Sequence, residues 1–275
     1  SGSHGRNAIA VAEGGTEYLL PRGAPSIPEG ARLAIEVTRS TIPGSEPWKR
    51  PLARVHDAAR TGTARPMQPE GRSVQFPAPR DELGDAGWDD LIDQARTGLV
   101  TFAGGDLRIS VTPAMTLIDV DGYLAPDDLA RLGAMEAARA IRRLDIGGSI
   151  GVDLPTVNSK SARQHAAEAI DDALPQPFER TAVNGFGFVQ IVRPRSRASF
   201  LELAQDRAAF EARALLRRIA FEPAGPKTIV GHPRLIAALE AQPEWLDRLS
   251  RQLGGAVGLR ADASLPMSGG YAEQA

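Results

Sequence analysis

Three aspartates at strand ends set the chemistry this chain could perform. In TPAMTLIDVDG, residues 112–122, Asp119 and Asp121 alternate with apolar neighbours Leu117, Ile118 and Val120. A two-residue period puts the two carboxylates on one face of a strand. A second apolar run, from Ile150 to Val152, ends in Asp153 roughly thirty residues and one helical stretch later. Carboxylates converging at the ends of neighbouring strands suit a hard cation such as Mg²⁺, which prefers oxygen ligands. A cation held there could drive phosphoryl transfer. The bland alternatives stand beside this reading. A lone strand-end aspartate often simply faces solvent, and Asp121-Gly122 is a common tight-turn pair.

The elements needed to position these groups are legible from periodicity. Trp88, Leu91, Ile92 and Ala95 fall at helical spacing over 87–97. Strands are expected at 99–102, 107–111 and 115–120, with Gly104-Gly105 as a hairpin turn. Asp127-Asp128 can open a helix through Leu129, Leu132, Met135, Ala138 and Ile141, stopped by Gly147-Gly148 before the strand SIGVD. Those glycines read as helix terminators and not as a phosphate loop, because no helix N-terminus follows them. Asp145, just before them, reads as structural, bound to backbone or to Arg143. Further on, the pattern predicts a helix over 159–174, a strand over 186–192 and one long amphipathic helix over 199–220. A strand at 227–230, helices at 233–240 and 243–253 and a last strand at 257–260 complete it. NAIAVA, EYLL and ARLAIEVTRS give a small β unit before them.

The expected organisation is therefore α+β: an N-terminal β unit over 1–42, an irregular arm or linker over 43–86, an α/β core over 87–265 and a tail over 266–275. The arm is rich in Pro, Gly, Arg and Ala. Its Lys49, Arg50, Arg54 and Arg60 could touch an RNA backbone, although a solvated flexible segment explains them more readily.

Composition narrows the function classes. The 275 residues hold no cysteine, which excludes disulfides, a thiolate nucleophile and Cys-containing zinc sites. Histidines 4, 56, 165 and 232 form no ligand-like pair, so a structural zinc is not expected. The net charge of −2 gives no global attraction to nucleic acid. Lys49, Lys160 and Lys227 are the only lysines among 32 basic residues, so arginine carries the positive charge. Arginine forks suit phosphate, and a compositional bias toward Arg, Ala, Gly and Pro would give the same excess. No apolar run approaches the ~20 residues that span a bilayer, and no hydrophobic leader opens the chain. A cytoplasmic setting is the expectation.

Arg193, Arg195 and Arg197 cluster around Pro194 after a strand, as phosphate-backbone contacts require; a solvated loop is the alternative. Arg180, at a strand start, could approach a bound phosphate. Arg139, Arg142 and Arg143 fit the C-terminal end of a helix dipole. His165 and His232 lack catalytic partners, and no Gly-x-Ser-x-Gly elbow is present. Phe186 and Phe188 could stack on a base or pack across strands.

Three ordered blocks carry a family resemblance. Residues 112–157, from TPAMTLIDVDG through MEAARAIRRLDIGGSIGVDLPTV, resemble the catalytic heart of the ribonuclease E/G family. There an Ile-Asp-Val-Asn strand precedes a Glu-Ala-Ala helix, a Gly-Gly step and a strand ending in Asp. GFGFVQIVRPRSRASFLE, 185–202, resembles the family's Phe-Gly-Leu-Val-Glu-Met-x-Arg-x-Arg block, and EGARLAIEVTRSTIP, 29–43, is similar to its Glu-Gly-x-x-Leu-x-Val segment.

The resemblance implies a Mg²⁺-dependent endoribonuclease (Mn²⁺ an acceptable substitute) that cuts single-stranded RNA and leaves a 5′-phosphate. It implies a DNase I-like core after a partial S1- or OB-like β unit. The family's two metal-binding aspartates fall on Asp119 and Asp153, and the catalytic set adds Asp121, where the family has Asn. Arg180, Arg193, Arg195 and Arg197 would contact RNA. No separate cofactor-binding residues are implied. The family's Cys-Pro-x-Cys link is absent, so its zinc-mediated dimer is excluded and the oligomeric state is open. No secure 5′-monophosphate sensor is found; Arg60-Thr61 is a superficial echo. The Asn-to-Asp departure also motivates a second expectation, a non-catalytic RNA-binding module on the same fold.

Overall fold

The computed structural model describes residues 7–43, 49–56, 72 and 80–275. Two compact units emerge, one from 1–72 with 98–202 and one from 73–97 with 203–275. Both are mixed α/β, as the periodicities predict.

The first unit opens with strands β1 (Ala8–Val11), β2 (Glu17–Leu20), β3 (Ile35–Arg39) and β4 (Leu52–Val55) in the order β1-β2-β4-β3. The first two form an antiparallel hairpin, β2 and β4 are parallel, and β3 and β4 are antiparallel. Ala10, Leu20 and Ala53 make its small core. Strand β4 lies in the stretch expected to be irregular. Its Leu-Ala-Arg-Val is too short to register as alternation, but it supplies the partner that β3 lacks. Arg50 and Arg54, expected to be available to RNA, pair with Glu17 at 2.5 Å and Glu36 at 2.7 Å. His4, Arg60 and Thr61 lie outside the described residues.

After the 4-residue helix α1 (Glu82–Asp85) and α2 (Trp88–Thr97), both in the second unit, the chain returns to build the larger sheet of the first. Strands β5 (Leu99–Phe102), β6 (Gly105–Val111), β7 (Thr116–Gly122), β8 (Gly148–Asp153), β9 (Glu179–Arg180) and β10 (Phe188–Arg193) lie in the order β5-β6-β7-β8-β10-β9. All neighbours are antiparallel except β7 and β8. That parallel pair needs a crossover, provided by α3 (Pro126–Arg143). Pro126 sits at the start of α3, Asp127 and Asp128 in its first turn, and Arg142 and Arg143 in its last. This order suits the helix macrodipole. Helix α4 (Lys160–Ala173), capped by Ser159, packs beside α3.

One face of this sheet is apolar. Leu107, Ile109, Ile118, Val120, Ile150, Val152, Val189 and Ile191 are all buried. Helix α3 lies over β6 and β7 and buries a run of small residues, including Gly133, Ala134, Ala137 and Ala138. A Cβ on Gly133 would fall 2.4 Å from Val120 Cγ1, so the helix rests directly on the strand that carries the aspartates.

The expected single helix over 199–220 is two helices, α5 (Phe200–Leu203) and α6 (Arg207–Ile219). Asp206 accepts from the Ala209 amide and starts α6 afresh. The unit boundary also falls here, after Glu202.

In the second unit β11 (Lys227–Gly231) is central, parallel to β12 (Val257–Ala261) and antiparallel to β13 (Tyr271–Gln274). Helices α7 (Pro233–Glu240) and α8 (Pro243–Leu253) join α6 around a core of Leu215, Ile219, Ile229, Leu235, Leu239 and Leu253. The stretch expected to be a tail therefore contributes a strand. The expected 87–265 core also divides, its 98–202 portion belonging to the first unit and the remainder to the second. Among the described residues no helix is long and apolar enough to cross a membrane.

Candidate active site

The face of the six-stranded sheet opposite α3 carries the three candidate aspartates. Along β7, Ile118 and Val120 are buried, whereas Leu117, Asp119 and Asp121 are exposed. The alternation is energetically enforced. A one-residue slip would expose Ile118 and Val120, each worth about 1.5–3 kcal/mol of burial, and drive both carboxylates into the core.

Register then aligns the neighbours. Leu99 of β5 opposes Arg108 of β6, Arg108 opposes Asp119, Asp119 opposes Asp153 of β8, and Asp153 opposes Phe188 of β10. One row thus runs across five strands as apolar, cation, carboxylate, carboxylate, aromatic. Adjacent strands are separated by about 4.8 Å, so Asp119 and Asp153 are direct neighbours. Asp121 is one step along and opposes Asp106. Arg108 Nε lies 3.8 Å from Asp121 Oδ2, too long for a hydrogen bond.

The carboxylates sense one another. The Asp119 carboxyl is held above its ordinary value, first by lost hydration, then by repulsion from Asp121 and Asp153. Arg108 and the Val120 amide oppose the rise. Four aspartates, 106, 119, 121 and 153, share this face with one guanidinium. Such a surface repels a polyanion unless a cation neutralises it.

The donor set fits Mg²⁺. Among the described residues no three His, Asp or Glu side chains converge into a complete metal cage. Mg²⁺ does not need one, since it is commonly held by one or two carboxylates with waters and substrate phosphates completing its shell. Asp119 and Asp153 are two neighbouring carboxylates of that kind.

The arginines expected to bind RNA are placed elsewhere. Strand alternation puts Arg193 on the helix-covered face with Val189 and Ile191, where Nη1 donates to the Ile146 carbonyl at 3.0 Å. Arg180 opposes Ile191 and donates to both carboxylate oxygens of Asp171 on α4. Arg195 donates to Glu202, a buried carboxylate that also accepts from the Ser199 amide and hydroxyl. Arg197 donates to Asp145. Arg193 opposes Gly148, at the far end of β8 from Asp153. These four side chains brace the unit's scaffold, and none shares the row with the carboxylates. Asp145, expected to be structural, is so, with Arg197 as its partner.

Two residues of this face escaped the sequence reading. Arg108 is brought beside Asp119 by the short connection between β6 and β7, where Thr112 and Met115 close a turn through 3.0 Å and 2.7 Å bonds to the Met115 carbonyl. That turn pairs Val111 with Thr116 and fixes every later pair. Counting back from it would have found Arg108. Gly151 is the second. A Cβ there would fall 2.6 Å from Phe188 Cζ and 3.0 Å from Leu117 Cδ2, so the Phe188 ring lies across the glycine beside Asp153.

No family model matches the chain. Curated relatives do. Ribonuclease G of Escherichia coli K12 is 33% identical over 109 residues, covering 35% of this chain and 22% of the relative. Ribonuclease G of Shigella flexneri gives the same figures, and that of Salmonella typhimurium SL1344 is 32% identical over 109 residues. The alignment thus spans about a fifth of the length of the relatives it matches. A distant ribonuclease E/G relationship follows, over part of the chain.

Proposed function

We propose that this protein is a divalent-cation-dependent endoribonuclease that hydrolyses phosphodiesters of single-stranded RNA, leaving 5′-phosphate and 3′-hydroxyl ends. The observation that carries the reading is the direct cross-strand pairing of Asp119 with Asp153 on an open sheet face, in a chain similar to ribonuclease G. Asp119 and Asp153 would hold Mg²⁺, or Mn²⁺ in its place. When bound, the ion supplies Lewis-acid polarisation of the phosphodiester and a more acidic water.

The chain's own residues do the rest. Asp121 adds negative charge beside Asp119 and raises the site's demand for a cation, at a position where the ribonuclease E/G pattern has a neutral Asn. Phe188 offers an aromatic surface on which a base beside the cleaved linkage can stack. The face is open, so a flexible single strand can lie along it without a tunnel. In this reading the six-stranded sheet with its helices is the DNase I-like layer, and the N-terminal sheet the S1-like accessory.

A non-catalytic RNA-binding role is the second reading, favoured by the absence of a three-ligand cluster among the described residues. Incubating labelled single-stranded RNA and DNA with Mg²⁺ or EDTA separates the two. The hydrolase reading expects RNA cleavage that EDTA stops and that Asp119→Asn and Asp153→Asn each abolish. Binding with no cleavage in Mg²⁺ or Mn²⁺ overturns it, and equal cutting of DNA reassigns the substrate.

A further inference from the structure

The geometry points to Arg108 as the residue that contacts the phosphate at the cleaved linkage. This deepens the ribonuclease reading and rests on it. Three observations carry it. First, Arg108 is the direct cross-strand partner of Asp119, so a phosphate oxygen held over that carboxylate falls within the span of the neighbouring guanidinium. Second, Arg108 is held by no short contact. Its side chain is 66% exposed, and its ion pair is the 3.8 Å approach to Asp121. By contrast Arg180, Arg193, Arg195 and Arg197 each donate hydrogen bonds to groups of their own unit. Third, strand alternation makes Arg108 the only cation on the open face of β5 to β10 among the described residues.

A guanidinium suits this task. Its planar fork presents paired donors to two phosphate oxygens, and its charge does not titrate near neutrality. Placed beside four carboxylates, it would otherwise compete with a divalent ion for Asp119 and Asp121. With Asp119 and Asp153 engaged by an ion, the fork would be free to turn toward an incoming anion. Arg108 would then hold one side of the substrate phosphate beside Asp119.

The test uses the full chain and reads binding separately from cleavage. Arg108→Ala, Arg108→Gln and Arg108→Lys are compared with wild type for anisotropy of a labelled single-stranded RNA. The titrations run in Ca²⁺ over a KCl series, with the RNA confirmed intact by gel. Losing one phosphate contact lowers the slope of log K against log [salt] by about 0.7 for a single strand. The Ala and Gln variants are expected to show that drop, with Lys retaining the wild-type slope. In Mg²⁺, Ala and Gln should lose about 10²-fold in kcat, as when one charge-stabilising donor is removed. Lys should recover part of that loss, because it keeps the charge without the fork.

An unchanged salt slope in Arg108→Ala overturns the assignment even if wild type cleaves RNA. RNA binding with the slope change but no cleavage in wild type keeps the phosphate contact and sinks the hydrolase reading instead. No RNA binding by wild type ends both. A thermal melt no more than about 1–4 °C below wild type is expected for Ala and Gln, since the side chain is exposed and its attraction to the aspartates is worth about 1 kcal/mol or less.

Discussion

Replacing Asp119 with Asn should stabilise the metal-free protein while destroying its proposed activity. Asp119 has a like charge one strand spacing away in Asp153 and another two residues along in Asp121. Across about 4.8–6.6 Å, unit charges in a water-like dielectric repel by about 0.6–0.9 kcal/mol each, Asp121 more strongly than Asp153. Arg108, one spacing away on the other side, returns about 0.9 kcal/mol. The net repulsion of about 0.6 kcal/mol is trimmed by salt screening and enlarged by the lost hydration that heads the causes raising the Asp119 carboxyl. A gain of about 0.5–1 kcal/mol corresponds to about 1–4 °C in Tm for a unit of this size.

The same experiment has a pH signature. A carboxyl raised in the folded state binds its proton more tightly folded than unfolded, so stability falls as pH rises through that interval. The advantage of Asp119→Asn is therefore complete above the raised folded value. It vanishes as pH falls toward the unfolded value of about 3.9. Mg²⁺ reverses the ranking. At ten times its Kd an ion bound only to the native state contributes about 1.4 kcal/mol, which raises wild-type Tm by about 3–6 °C and leaves Asp119→Asn unmoved. Differential scanning fluorimetry in EDTA and in Mg²⁺, from about pH 4 to 8 so as to span the carboxylate range, reads all of this. A lower Tm for Asp119→Asn in EDTA, or an equal Mg²⁺ shift in both proteins, refutes the electrostatic argument.

Two further substitutions probe the scaffold and the aromatic surface. In the second unit, Arg96 grips the buried Glu211 through two 2.8 Å bonds, with Arg207 at 3.3 Å. Arg96→Ala strands that carboxylate and should cost about 3–5 kcal/mol, read as a lowered denaturant midpoint. A loss under about 1 kcal/mol, the range of an exposed pair, would show that Arg207 suffices. Phe188→Ala should weaken single-stranded RNA binding by about 1–3 kcal/mol if a base stacks on the ring, with Phe188→Trp retaining affinity. Equal binding by all three proteins would leave the ring as packing over Gly151.

Much of the candidate site's placement was legible because strand alternation is a strict code. Ile118 and Val120 must be buried, so Asp119 and Asp121 must face out, and no tertiary information is needed. The pairing of Asp119 with Asp153 was readable only through a rule of connection, that a strand, helix and strand return parallel. The partners of the arginines were not legible, because position along the chain does not reveal them. Arg180 is satisfied by Asp171, nine residues earlier, and Arg197 by Asp145, 52 residues earlier. Nothing in the local pattern of either arginine shows that its guanidinium is already paired. Strands β4 and β13 escaped for a related reason. Each is 4 residues long and owes its existence to a partner already formed.

The division of charge between the two faces of the larger sheet bears on how RNA would be held. On the helix side, Arg180 and Arg193 serve the fold and sit behind the apolar layer. On the open side, the carboxylates outnumber the one guanidinium. Phosphate attraction there has to come from a bound cation and Arg108, with stacking on Phe188 adding an uncharged share. A site built this way neutralises few phosphates by side chains, so its affinity should fall gently with monovalent salt but sharply when the divalent ion is removed. An arginine-lined groove would do the opposite. The contrast between those two dependences reports directly whether recognition resides on the aspartate face.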